Sequence, residues 1–202
     1  MNELIKQVIV GSVLGDGSLT PSSKRKGEAQ LHLGYDDRSL GYLEWMRLML
    51  QDVGVHPIQV KAGYSQHHFY TQPSVMIGEL RRLFYPNGIK RIPAQIKNLL
   101  THPIALAIWY QDDGTLDARH GSHWNARIAT YCFPKEDCER LVDVLKRNFN
   151  LDVGVARCTM RNKIYWQLYF RTSTMKDFIE IIRPYIHQDF QYKIRQNGQQ
   201  QR

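Results

Sequence analysis

The sequence predicts an α+β fold built from two pseudo-symmetric repeats packed through a pair of apolar helices. Three observations predict it. An apolar run ending in Asp-Gly occurs twice, at half-chain spacing. A matching series of elements follows each run. The first run also carries Gly11 and Gly15 four residues apart, hence on one helix face.

The first helix is expected over residues 3–14, ending at Leu14-Gly15-Asp16-Gly17. The second is expected over 103–112, opening on Pro103, a residue suited to the first helical position, and ending at Asp112-Asp113-Gly114. Ser18-Leu19 follows one Asp-Gly and Thr115-Leu116 the other, so Asp16 and Asp113 stand 97 residues apart. Gly11 and Gly15, with Ala107 opposite, would let the two backbones approach closely, and Gly17 and Gly114 read as helix C-terminal caps.

Each repeat then continues alike. A polar loop (20–28 and 117–124) precedes an alternating strand (30–35 and 125–133) and a helix (40–52 and 134–149). A β-hairpin follows (58–72 and 153–172), then a helix ending at Phe84-Tyr85-Pro86 or Arg183-Pro184-Tyr185. Beyond each stands a lysine beside an isoleucine, Lys90 and Lys193. Internal duplication accounts for this order. It divides the chain into repeats 1–97 and 98–195, with 196–202 expected to be a disordered tail.

Bulk properties narrow the classes. At 202 residues and 43% hydrophobic, the chain can bury a proper core. No apolar run approaches the ~18 residues of a membrane span, and no cleavage site follows the first apolar stretch as it would a signal peptide. An intracellular protein is expected, in the cytoplasm or nucleoid or in an organelle that encodes it. Cys132, Cys138 and Cys158 are scattered and read as free thiols. Net charge is +8, shared evenly: 12 Lys+Arg against 8 Asp+Glu in residues 1–100, and 15 against 11 in the remainder. An anionic partner suits that charge.

The two runs, Ile9-Val10-Gly11-Ser12-Val13-Leu14-Gly15-Asp16-Gly17 and Leu106-Ala107-Ile108-Trp109-Tyr110-Gln111-Asp112-Asp113-Gly114, resemble the motifs of the LAGLIDADG homing endonucleases, specifically the branch with two motifs in one chain. The resemblance spans residues 4 to 195. It implies an αββαββα repeat and antiparallel sheets forming a DNA-binding saddle. It also implies a monomer that makes a double-strand break in a long, largely asymmetric target, across the minor groove, leaving short 3′ overhangs. By position, Asp16 and Asp113 are the implied metal-binding and catalytic aspartates. Gly15 and Asp112 stand beside them at the metal site, Asp112 as a helix-end neighbour more than a ligand. Lys90 and Lys193 are the implied basic catalytic residues. Motif one departs from the family pattern at Ser12, Leu14 and Gly15, motif two at Ile108, Trp109 and Gln111, mostly helix-packing positions. With no splicing-domain sequence flanking the chain, a free-standing intron-encoded product is expected over an intein.

The chemistry suits those groups. Phosphodiester hydrolysis needs an in-line water and a stabilised leaving oxygen, which divalent ions serve together. Mg2+ takes hard oxygen ligands and few protein carboxylates; Mn2+ is an expected substitute, and Ca2+ is expected to bind without supporting cleavage. A carboxylate at a helix C-terminus faces the negative end of the dipole and gains from a cation.

Strand alternation predicts polar faces for double-stranded DNA. The first repeat offers Gln30, His32, Gln59, Lys61, His68, Tyr70 and Gln72, the second Arg127, Arg157, Arg161, Gln167, Tyr169 and Arg171. Loops with Lys24, Arg25 and Lys26, and with Arg119, His120 and His123, read as phosphate clamps. The histidines lack the cysteines or helical spacing of a zinc site. The rival readings are an RNA-binding maturase acting on its host intron, and a non-catalytic DNA-binding regulator of the same fold.

Overall fold

The structure is a computed structural model of the full chain and describes residues 2–60, 63, 65–118 and 124–195. Its order of elements is α1 (Glu3–Leu14), β1 (Ser18–Pro21), β2 (Ala29–Asp36), α2 (Leu40–Met49), β3 (Gln59–Val60), β4 (Gln66–Tyr70) and α3 (Val75–Phe84), followed by α4 (Pro103–Asp113), β5 (Gly114–Ala118), β6 (Trp124–Ala129), α5 (Lys135–Phe149), β7 (Val153–Met160), β8 (Lys163–Phe170) and α6 (Thr172–Ile182). Both series read αββαββα. Each forms a four-stranded antiparallel sheet, β1-β2-β4-β3 and β5-β6-β8-β7.

Local chemistry explains most boundaries. Asn2 caps α1 by accepting the Leu4 N–H at 3.0 Å. Pro103 sits in the first turn of α4, and His102 Nδ1 accepts the Ile104 N–H at 3.2 Å. The β7–β8 hairpin turns on Arg161 and Asn162, both with positive φ (47° and 61°), the conformation a two-residue turn requires. Each sheet buries one face against its own helices. Leu31, Leu33 and Phe69 meet Leu43, Met46 and Ile77 in the first core; Ile128, Leu168 and Phe170 meet Leu141, Met175 and Phe178 in the second. No helix of the described residues is long and apolar enough to cross a membrane.

Helices α1 and α4 pack on each other between the sheets and are apolar nearly all round, as an element covered on every side must be. The close approach differs from the expectation in its partner. A Cβ on Gly11 would lie 2.5 Å from the Ala105 carbonyl oxygen, so Gly11 faces Ala105 and Ile108, the residues on either side of Ala107 along the chain, and not Ala107 itself. Gly11→Ala is therefore an overpacking substitution, expected to cost about 3 kcal/mol. For a chain of this size that lowers Tm by roughly 6–12 °C, measurable by thermal melting against the parent. Two glutamines complete the seam. Gln7, fully buried, donates to Thr101 Oγ1 (2.8 Å) and accepts the Thr101 and His102 N–H groups. Gln111 donates to the Ala107 and Tyr185 carbonyls and accepts the His187 N–H.

Two local expectations are corrected. Residues 18–21 and 114–118 are strands that run two residues into the segments read as loops, 20–28 and 117–124; β1 has only four residues and takes its register from β2. Gly114 does cap α4, its N–H donating to the Tyr110 carbonyl, though not in the left-handed conformation, whereas α1 is capped by Gly15 and not by Gly17. Gly114 is extended (φ −80°), and a Cβ there would meet the Tyr110 ring at 2.1 Å; a Cβ on Gly17 would meet the Ser12 carbonyl oxygen at 2.6 Å. Both positions need glycine for space.

Candidate active site and nucleic-acid interface

The two motif helices end side by side. The backbone N–H of Asp16, just beyond α1, donates to Asp112 Oδ2 on α4 at 3.2 Å, although the residues are 96 apart in sequence. Gly15 makes the contact possible, because a Cβ there would lie 2.4 Å from the same oxygen. Asp16, Tyr35, Asp112, Tyr192 and Lys193 line one cavity of about 470 Å³. Asp112, Asp113, Thr115, Tyr192, Lys193 and Arg195 line another of about 740 Å³.

Electrostatics sort the three aspartates. Burial, then the charge of Asp16, pushes the Asp113 carboxyl up to about 7; Lys90 and Lys193 pull it the other way. Asp16 is raised by partial desolvation and restrained by the two lysines. Among the described residues, neither carboxylate accepts a hydrogen bond or forms an ion pair. Asp112 behaves differently. Its Oδ1 accepts the hydroxyls of Tyr35 (2.9 Å) and Tyr42 (3.4 Å), while Oδ2 takes the Asp16 N–H. Its carboxyl is raised well above the usual range, by burial first and Asp16 second. Asp112 is thus engaged across the helix seam with the first repeat, whereas Asp16 and Asp113 are left open.

Lys90 Nζ donates to the carbonyl of Gly15 at 3.0 Å, and Lys193 Nζ to that of Gln111 at 2.6 Å. Each lysine therefore sits on the carbonyl end of its own repeat's motif helix, where a cation offsets the dipole. Burial leaves the pKa of both below the usual lysine value, opposed only in part by Cys132 and the aspartates at Lys90 and by the aspartates at Lys193. Lys193 is only 9% exposed, which rules out a solvated surface role.

The sheets present open faces on either side. In the first, Gln30, His32, Gln59, His68 and Tyr70 share the face away from the helices. His32 stacks on Tyr70 with ring centroids 4.4 Å apart. Gln72 lies just beyond β4 and is exposed, and Lys24, Arg25 and Lys26 are exposed in the β1–β2 loop. The second open face carries Arg127 and Tyr169 in one row with Thr115, and Gln167 beside them. Gln167 is mostly covered, at 8% exposure, and its Oε1 accepts the Tyr131 hydroxyl at 3.3 Å. Arg171 pairs with Asp152 at 2.8 Å beyond the end of β8, and Arg161 occupies the hairpin turn. Arg157 is elsewhere. It pairs with Trp166 on the side of the sheet that holds Val153 and Val155, the side α5 covers. Lys61, Arg119, His120, His123 and the tail 196–202 lie outside the described residues.

Several residues at the site had no sequence signal. Tyr35 and Tyr42 reach Asp112 over 77 and 70 residues, and nothing local marks either as polar in role. Ser18, Thr20 and Thr115 join the open faces only through strand pairing. Among the described residues no group of three or more His, Cys, Asp or Glu converges as a metal cluster.

A duplicated α+β chain, with acidic helix ends meeting between two open sheet faces, defines the class. A model of the LAGLIDADG DNA endonuclease family matches residues 6–178, and the chain belongs to that family. Its fold is that of single-chain homing endonucleases. I-WcaI bound to its DNA recognition sequence superposes with a TM-score of 0.80 over 97% of this chain and 88% of that one, at 20% identity. I-DmoI in complex with DNA and Mn gives 0.58 over 89% and 96%, at 14% identity; other I-DmoI structures are of complexes with DNA and Ca, or of a variant with its target DNA in the presence of Mg. By sequence, the chain is 29% identical over 197 residues to Protein RecA of Mycolicibacterium fallax, covering 93% of this chain and 45% of that one. It is 26% identical over 212 residues to the cytochrome b mRNA maturase bI2 of Saccharomyces cerevisiae, covering 96% and 48%. The chain thus spans about half the length of these curated relatives.

Proposed function

We propose that the chain is a site-specific homing endonuclease that makes a metal-dependent double-strand break in a long, largely asymmetric DNA target. The observation that carries this reading is the meeting of Asp16 and Asp113 at the helix seam, raised in pKa and without a protein partner among the described residues. Hard carboxylate oxygens of this kind suit Mg2+ or Mn2+. Asp16 and Asp113 would hold the ion, with Gly15 and Asp112 lining its site. When bound, it supplies Lewis-acid stabilisation of the phosphate oxygens and an acidified water.

The chain's own residues do the rest. Lys90 and Lys193, held on the motif carbonyls, place positive charge where a pentavalent phosphate develops negative charge. Repeats 1–97 and 98–195 each supply one aspartate, one lysine and one open sheet face, so a monomer addresses both strands. The open faces offer glutamine, histidine and arginine to base edges, and the Lys24–Lys26 loop offers charge to phosphates. An intron-encoded origin and an intracellular setting belong to the same reading.

The test is linearisation of a randomised-target plasmid library. Cutting is expected in Mg2+ or Mn2+, with binding but no cutting in Ca2+, and neither linearised product nor nicks in EDTA. Cutting that persists in EDTA would overturn the metal dependence. The likeness to the yeast mRNA maturase supports a second reading, RNA binding to a host intron. Tight intron-RNA binding by a chain that cuts no library member would favour it.

A further inference from the structure

Each lysine is carried by a segment that also docks on the opposite repeat: Lys90 follows the short 3-10 turn Pro86–Gly88, and Lys193 lies within the 3-10 helix Gln188–Ile194. Directly after Lys90, Arg91 Nε and Nη2 donate to Asp137 Oδ2 (2.7 Å) and Oδ1 (3.2 Å), and the Ile92 N–H donates to Asp137 Oδ2 (3.0 Å). The Asp137 side chain is fully buried, and Arg140 completes its shell. Against that burial, the Arg91 and Ile92 hydrogen bonds hold its carboxyl below the usual range. Shortly before Lys193, Asp189 Oδ2 accepts the backbone N–H of Tyr42 at 3.0 Å. Helix α2 has no side-chain cap of its own from Ser39, so Asp189 satisfies an open first-turn donor from the other repeat. Gly41 leaves the room: a Cβ there would stand 3.0 Å from that carboxylate oxygen.

The two docking points are equivalent. Tyr42 is the third residue of α2 and Asp137 the third residue of α5. The polarity is exchanged, with the carboxylate on the helix in one case and on the lysine-bearing segment in the other. The side-chain hydrogen bonds of Lys90 and Lys193 among the described residues go to motif-end carbonyls and not to Asp137 or Asp189.

We propose that Asp137 and Asp189 are positioning residues, each docking the segment that bears one lysine onto the opposite repeat, so that Lys90 and Lys193 reach the motif carbonyls only when the two repeats are packed together. The consequence for strand cutting rests on the endonuclease reading above; the positioning itself does not. Placement of one lysine is thereby separable from placement of the other.

Arg91→Gln and Asp189→Asn test this, both at sites partly open to solvent and so less prone to misfolding than Asp137→Asn. The first readout is amine acylation of the folded, metal-free, DNA-free chain, followed by peptide mass spectrometry. Arg91→Gln should raise Lys90 labelling by about tenfold, the scale of one lost hydrogen bond to a charged group, and leave Lys193 unchanged. Asp189→Asn should do the reverse, and Arg91→Lys should fall between Arg91→Gln and the parent. The second readout is strand-resolved cutting of a plasmid the parent linearises. The two variants should accumulate nicks in opposite strands. Labelling that stays at the parent level, or rises equally at both lysines, overturns the proposal, as does an unchanged strand ratio. A parent chain that cuts no DNA overturns the endonuclease reading instead, and the labelling still decides the positioning.

Discussion

Replacing Asp113 with asparagine is expected to abolish double-strand cutting, by at least about 10³-fold, while making the metal-free protein more stable at neutral pH. The loss of cutting follows from removing one of the two open carboxylates that would hold a cation against phosphate. The gain in stability follows from linkage. The folded-state pKa of Asp113 is about 7, raised from 3.8 by burial first and by Asp16 second. The native state therefore binds more protons than the unfolded chain between those values. Stability is fully present below pH 4 and falls as the pH rises through 7, by something on the order of 2–4 kcal/mol. Asparagine carries no charge and escapes that loss. In EDTA at pH 8, Asp113→Asn should melt several degrees above the parent, and at pH 4 the two should converge. Divalent metal should close the gap by stabilising the parent alone. A parent melting curve that stays flat from pH 4 to 8 in EDTA would contradict the burial of an unpaired carboxylate.

Replacing Lys193 or Lys90 with methionine should slow cutting by about 10²–10³-fold, the usual scale for one pre-organised charge-stabilising group. Methionine retains most of the apolar stem while removing the charge, and with it the Nζ that lies 5.1 Å from the Phe190 ring centroid. The change also has a signature that plain loss of packing lacks. Both lysines pull the Asp113 carboxyl downward. Without one of them that carboxyl rises further, so a higher pH is needed to ionise it. The acid limb of the cutting profile should move to higher pH in either variant. A rate loss with an unmoved acid limb would mean that the lysines act away from the carboxylates.

The duplication explains why so much of this site was legible. Asp16 and Asp113 each end an apolar run and precede a glycine, a pattern carried by contiguous residues. Lys90 and Lys193 recur at matching places in the element order. Binary alternation grouped Gln30 with His32, and His68 with Tyr70, on one face of each strand, because side-chain direction in a strand depends only on parity; the registers of β2, β3 and β4 then bring these pairs and Gln59 onto one common face. The same rule separates Arg157 from Arg127 once the β7–β8 and β6–β8 registers are known. Without a register, two strands of one hairpin cannot be assigned to a common face.

What the chain could not state locally was which distant groups would meet. Asp112 looked like a helix-end neighbour; it is held by Tyr35, Tyr42 and the Asp16 N–H, all from the other repeat. Gly11 was legible as a close-approach residue, but its partner, Ala105, depends on the crossing of α1 over α4. Asp137 and Asp189 stand in no motif or repeat pattern that would mark them as groups reaching the opposite repeat. Periodicity, turn chemistry and repetition act over a few residues or one repeat, so the sequence by itself determined the elements, their duplication and the acidic motif ends. Contact across the seam depends on how two finished surfaces pack, and only the tertiary structure decided the bracing of Asp112 and the docking of each lysine-bearing segment on the opposite repeat.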